Sequence, residues 1–374
     1  MILEQSRAEQ SRAEQSRAEQ SRAERIGWLD TARAFAILMV LLVHAAENLY
    51  VMNPARLNGM SLASSTFAVI AFTAGRLGVP VFLFLTGYLL LDRNFDERAC
   101  RKFWKKNWLG MLITTEVWIV IYDIFLPLAH FAPFQKLGFI EDVLLIHQVR
   151  MGHMWYMPMI IGLYICIPFA ARALHRLDYK ILRFPVGLLS AYAFGLPVLA
   201  LVAQIMGRKD VPFGARLDLG FIGGIYGLYL VLGWCIRKGM LKRFSTSALG
   251  IVCAFSFLLT AVFQMAAHWK GIRYNVWYNY GLLVICTLFL FELFSRVDHY
   301  PFAKIWEWLS RNSFGIYLLH FPLCMIISRK LAPLHMLMPV KVMILWLSML
   351  AVSVIICFVI DRFPKLSKII LYNR

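Results

Sequence analysis

Long apolar runs alternate with short polar connections along most of this chain, and the runs are too long for strands. Ten of them fall at about 29–50, 76–92, 107–129, 154–174, 184–204, 217–236, 247–268, 276–296, 312–331 and 341–363. Each approaches the roughly 20 residues that a helix needs to cross a hydrocarbon core. The second run is short, but its apolar character reaches back to about Ser61, which predicts a longer segment that bends or re-enters. Pro80 and its neighbouring glycines free backbone groups there, which membranes tolerate where the segment lines a cavity or is buried in protein. The pattern predicts an all-α polytopic membrane protein with about ten transmembrane helices.

Composition agrees. The chain has 374 residues, 60% of them hydrophobic and 16% charged, and its mean hydropathy is +0.64. These values exclude an ordinary soluble domain. A net charge of +18 would by itself suit nucleic acid, but the basic residues sit in short connections between apolar runs. There they set topology and touch anionic lipid. Twenty-one lie after even-numbered runs, between runs eight and nine, or at the C-terminus, and eleven lie in the opposite connections. This bias predicts both termini in the cytoplasm, with Arg33 toward the cytoplasm and His44 toward the outer side.

The remaining bulk features add little chemistry. The seven cysteines (Cys100, Cys166, Cys235, Cys253, Cys286, Cys324 and Cys357) lack CxxC spacing and lie mostly within runs. They read as small hydrophobes, with no zinc site and no disulfide framework. Residues 1–25 form a separate leader in which QSRAE is repeated four times from Gln5 to Glu24. It reads as a disordered stretch or a solvated helix, either an interaction tail or a translated tandem repeat. The leader is too long and polar for a cleavable signal peptide. Residues 26–374 then form one integral membrane domain.

Candidate chemistry begins in the first run. Arg33 and His44 are eleven residues apart, which places them about 20° from alignment and about 16 Å apart along one helix face. Ionisable groups inside a span are costly and mark functional sites by default. His44 has the proton affinity of a general base, and Glu47, one turn on, can orient its ring. A histidine packed against a neighbouring helix fits the same spacing. Arg33 has the planar fork that suits a phosphorylated donor, or it snorkels to headgroups. Asp30 either caps the helix start or pairs with Arg33.

Four further islands interrupt the apolar pattern. Arg76 opens Arg76-Leu-Gly-Val-Pro-Val-Phe-Leu-Phe-Leu-Thr-Gly-Tyr88, at a level similar to His44. It can stabilise an oxyanion or anchor the interface. His153-Met-Trp155-Tyr156 opens the fourth run, as substrate contacts or as an aromatic belt. Asn275-Val-Trp277-Tyr278 precedes the eighth. Ser310-Arg-Asn-Ser313-Phe-Gly-Ile-Tyr317-Leu-Leu-His320 lies in the ninth, with Tyr317 and His320 on one face as further candidate substrate contacts. For His320, a structural hydrogen bond to another span explains the position equally well.

Taken in order, LD-x2-R-x10-H, R-x-G-V-P-x-F-x-F-x-[ST]-G-Y, H-x-W-[FY] and S-x-[SG]-x-GIY-x2-H resemble the acyltransferase-3 family of bacterial integral membrane O-acyltransferases, from about Ile26 to about Arg362. Within it the shape is similar to stand-alone surface-polysaccharide O-acetyltransferases such as that of enterobacterial common antigen. The resemblance implies an inner-membrane enzyme that transfers an acyl group, usually acetyl from acetyl-CoA, to a sugar hydroxyl of a surface or lipid-linked glycan. Acyl-CoA would be a donor substrate rather than a resident cofactor, and no metal is implied. The family positions map onto Arg33, His44 and Arg76. The usual serine before Gly87 is Thr86, which keeps the hydroxyl, and a common glycine after Arg33 is Ala34. A rival reading, a transporter or flippase of a lipid-linked glycan, also suits ten spans with a broken helix and buried charges. A non-catalytic membrane scaffold would leave His44 and Arg76 dispensable.

Overall fold

The computed structural model describes residues 27–146, 149–208, 220, 223–297 and 300–373. The leader 1–25, Lys209, Arg216, Arg374 and the start of the sixth run lie outside the described residues. No strand occurs among the described residues. Every apolar run is helical, because only a helix closes its own backbone hydrogen bonds where water is missing.

Among the described residues, eight helices are long and apolar enough to cross a membrane: α1 Gly27–Tyr50, α2 Leu62–Leu90, α3 Glu97–Leu128, α4 Gly152–His175, α5 Arg183–Ile205, α7 Thr246–Trp269, α9 Ala303–Leu331 and α10 Met338–Ile360. The described helices of the sixth and eighth runs are short. They are α6 Gly224–Arg237 and α8 Gly281–Phe294, of 14 residues each. At 1.5 Å per residue each is only about 21 Å long, and both pack inside the bundle against α2.

The second run is longer than 76–92 and broken, as the reach back toward Ser61 predicts. It is two helices, Leu62–Gly75 and Gly78–Leu90. Pro80 lacks the N–H that would bond the carbonyl of Arg76, and its ring crowds that carbonyl. The chain therefore turns at Arg76 and Leu77, which sets the arginine at the corner rather than on a helix face. This helix is the centre of the bundle: 83% of its best apolar window is buried, against 22% for α5, α7 and α10, which face outward.

Small residues let the neighbours close on it. A Cβ at Gly75 would stand 2.5 Å from the Val43 backbone of α1. Gly87 of α2 meets the Leu230 carbonyl of α6, while Gly233 of α6 meets the Phe84 carbonyl of α2. Such reciprocal small-residue contacts drive helix association where lipid offers no hydrophobic gain.

Polar clamps tie the two ends. At the end where α1 begins, Arg237 Nε donates to Asp92 at 2.7 Å and Lys238 pairs with the same carboxylate. Burial alone would raise the Asp92 carboxyl, but the bonds from Lys238 and Arg237 outweigh it and hold the group below its usual range. A final short helix, Pro364–Ile370, folds back under α3. Trp118 Nε1 donates to the Ile370 carbonyl at 2.8 Å, and Tyr372 Oη donates to that of Asn107 at 2.6 Å. At the opposite end, Arg150 bridges buried Asp123 and Asp142. This fixes the chain just before the 3-10 turn Gly152–Trp155.

Candidate functional site

One face of α1 carries Arg33, Val40, His44 and Glu47, and α9 lies against it. Near its start, Arg33 Nη1 donates to Ser310 Oγ at 3.2 Å, and Ser310 donates to Asp30. Asp30 pairs with Arg33 at 3.7 Å. It stands inside the helix, so pairing rather than capping is its role. The Arg33 side chain is still 32% exposed, which leaves donor capacity for a ligand.

That exposed side opens into a cavity of ≈ 380 Å³. Its mouth carries Arg33, Arg93, Arg311 and Asn107. Its walls are apolar, from Val40, Phe82, Leu85 and Met111, with Thr86 among them. Its inner end reaches Tyr156 and Tyr317. The Thr86 hydroxyl donates to the Phe82 carbonyl at 2.8 Å, so it satisfies the helix rather than the cavity. A second pocket, of ≈ 760 Å³, adjoins the mouth through Arg311 and is lined by Lys105, Lys106 and Lys368, with Asp361 among them.

One turn beyond Val40 and Tyr317 stand three imidazoles. His44 and His320 lie with ring centroids 5.2 Å apart, and His153 and His320 are also 5.2 Å apart. Phe321 packs against all three, stacked on His153 at 4.6 Å and edge-on to His44 at 5.2 Å. His153 and His320 are fully buried. Tyr317 Oη donates to the His153 carbonyl at 2.6 Å, which joins the start of α4 to α9. The three rings do not form a metal-binding set among the described residues.

A charged relay runs outward from His44. Its Nδ1 lies 3.7 Å from Glu47, and the other Glu47 oxygen lies 3.5 Å from Arg76. These are ion-pair separations, longer than hydrogen bonds. Arg76 is 4% exposed, yet its charge is well served. The guanidinium lies 4.6 Å over both Phe72 and Trp277, and Nη1 donates to Tyr278 Oη at 3.2 Å. The Tyr278 oxygen accepts that bond, and its O–H remains to donate. Trp155 stacks on Tyr278 at 5.5 Å and leans on Trp277 and Tyr226, forming an aromatic wall.

The fold thus brings His44, Glu47, Arg76, His153, Trp155, Tyr317 and His320 into one continuous region. Arg33 stands at the far end of the cavity that leads to it. Sequence reasoning assigned no role to Tyr278, although its island stood out, and it missed Tyr122 and Phe321. Tyr122 shares its run with Thr114, Thr115, Glu116 and Asp123, and nothing local distinguishes it. Phe321 is one phenylalanine among 28.

A family model described as an acyltransferase domain matches residues 26–362, a range that takes in all ten helices. Neither curated proteins nor solved structures give a match to the chain.

Proposed function

The chain belongs to the acyltransferase-3 family, and we propose that it transfers an acyl group, acetyl foremost, from acyl-CoA to a hydroxyl of a cell-surface or lipid-linked glycan. The carrying observation is the cavity that starts at Arg33 and ends one helical turn short of His44. A largely apolar cavity with arginines at one mouth suits a thioester arm that trails a phosphorylated head. The basic pocket sharing Arg311 lies where that head would emerge. The excess of basic residues on the same side supports a cytoplasmic donor in a bacterial inner membrane.

The chemistry then divides among the named side chains. His44 takes the proton of the acceptor hydroxyl as its oxygen attacks the thioester carbonyl. Glu47 orients the imidazole and stabilises the imidazolium. Arg76 and the Tyr278 O–H face the developing oxyanion; a single such donor contributes on the order of 10²-fold in rate. The carbon–sulfur bond breaks, and the thiolate takes the proton from His44, which yields the ester and free CoA. Trp155 and Trp277 offer the flat apolar surface on which a sugar ring stacks. Tyr317 and His153 fix the acceptor side against α9.

Detergent-solubilised chain, mixed with radiolabelled acetyl-CoA and glycan-bearing membranes, tests this reading. Label should pass into glycan and leave on mild base, as an ester does. Glycan movement across vesicles without label transfer would instead support the transporter.

A further inference from the structure

Two of the three imidazoles are held in one tautomer each, and both leave a bare nitrogen in the site. His320 Nδ1 bonds the Tyr317 carbonyl. A carbonyl only accepts, so the ring proton is on Nδ1 and Nε2 carries a lone pair. For His153 the assignment runs through Tyr122. The Tyr122 hydroxyl is 2.6 Å from the Leu318 carbonyl and 3.2 Å from His153 Nε2. Its single proton goes to the carbonyl, so its oxygen accepts from His153 Nε2–H, and His153 Nδ1 is bare. A second ring proton on either residue would be an N–H buried without an acceptor.

His320 Nε2 and His153 Nδ1 are both buried and have no hydrogen-bond partner among the described residues. Native interiors pair such atoms, so an unpaired one in a functional site points to a missing donor. Here there are two, on rings 5.2 Å apart, and one of those rings is 5.2 Å from His44.

We propose that His153 and His320 form a hydroxyl-reading subsite for the acyl acceptor. The two bare nitrogens accept hydrogen bonds from neighbouring hydroxyls of one sugar ring, beside the hydroxyl that His44 deprotonates. The subsite selects an acceptor with adjacent hydroxyls over an isolated alcohol, because a lone hydroxyl leaves one buried nitrogen unpaired. This inference rests on the transferase reading above.

Amide substitutions separate the two nitrogens of each ring. An asparagine amide reaches the place of Nδ1, and a glutamine amide that of Nε2. His320→Asn keeps the bond to the Tyr317 carbonyl and deletes the bare nitrogen; His320→Gln does the reverse. At His153 the pattern inverts: His153→Gln keeps the Tyr122 bond, and His153→Asn keeps an acceptor in the place of Nδ1. The readout is transfer from radiolabelled acetyl-CoA to glycan in membrane vesicles, with acceptor and donor KM determined separately.

The subsite predicts that His320→Asn and His153→Gln raise acceptor KM about tenfold, the loss of one neutral hydrogen bond. Donor KM should hold. His320→Gln and His153→Asn, which keep an acceptor in the place of the bare nitrogen, should raise acceptor KM less than the other variant at the same position does. A purely structural role predicts the opposite crossing, and that result, or four equal variants, overturns the subsite. Wild-type chain that transfers no label contradicts the transferase reading itself, an outcome distinct from either.

Discussion

The His44 and His320 rings face each other at 5.2 Å, although 276 positions separate them in the chain. Only the packing of α1 against α9 brings them together, and Gly75 fixes the neighbouring approach of α2 to α1. His44 is the more accessible of the two, with a side-chain exposure of 13%, and it alone has a carboxylate beside it. It is therefore the residue placed to exchange a proton with an incoming hydroxyl. His44→Ala should lower kcat by about 10²- to 10⁴-fold, the usual contribution of a general base. Expression and thermal stability should remain close to wild type, as measured by fluorescence-detected size exclusion.

Arg76 is expected to resist conservative replacement. Its planar group is stacked between Phe72 and Trp277 while reaching Tyr278 and Glu47. A lysine keeps the charge and loses the stacking and the fork. Arg76→Lys should cut kcat by roughly 10²-fold, and Tyr278→Phe should cut it less, with little change in donor KM. Steady-state kinetics on membranes would check both.

The close contact of α2 with α6 predicts a packing failure rather than a chemical one. A methyl at Gly87 would run into the Leu230 carbonyl, which cannot turn aside. Gly87→Ala should destabilise the chain by about 1–3 kcal/mol, the cost of overpacking a closed contact. Thermal unfolding in detergent should show this, whereas Gly162→Ala, with open space around it, should be silent.

Acid should loosen the clamp at Asp92. Its carboxyl is held below the usual range by Lys238 and Arg237 once burial is outweighed. A depressed folded value contributes stability that is fully present above the ordinary carboxylate range. That stability is lost as pH falls through the lowered value. Asp92→Asn should be less stable at neutral pH and should show a shallower acid limb in a melting-temperature series.

The ten helices were legible in the sequence because each apolar run must satisfy its backbone alone. Pro80 marked the broken second span for the same reason. The true length of α8 was not legible, since Val276, Trp277 and Tyr278 extend the run without extending the helix Gly281–Phe294. The Arg33/His44 face followed from spacing within one helix. Tyr122 and Tyr278 owe their roles to contacts as far as 196 and 202 residues away, and no local pattern encodes those. The tautomer of His153 likewise depends on the Leu318 carbonyl, which packing supplies, whereas that of His320 rests on the Tyr317 carbonyl three residues back in its own helix.

The central claim is most directly tested by mass spectrometry of surface glycans from cells with wild-type chain, with His44→Ala, and without the chain. An acyl mass increment on glycan present with wild type alone is the predicted result. Glycans of identical mass in all three, with both proteins expressed, would contradict it.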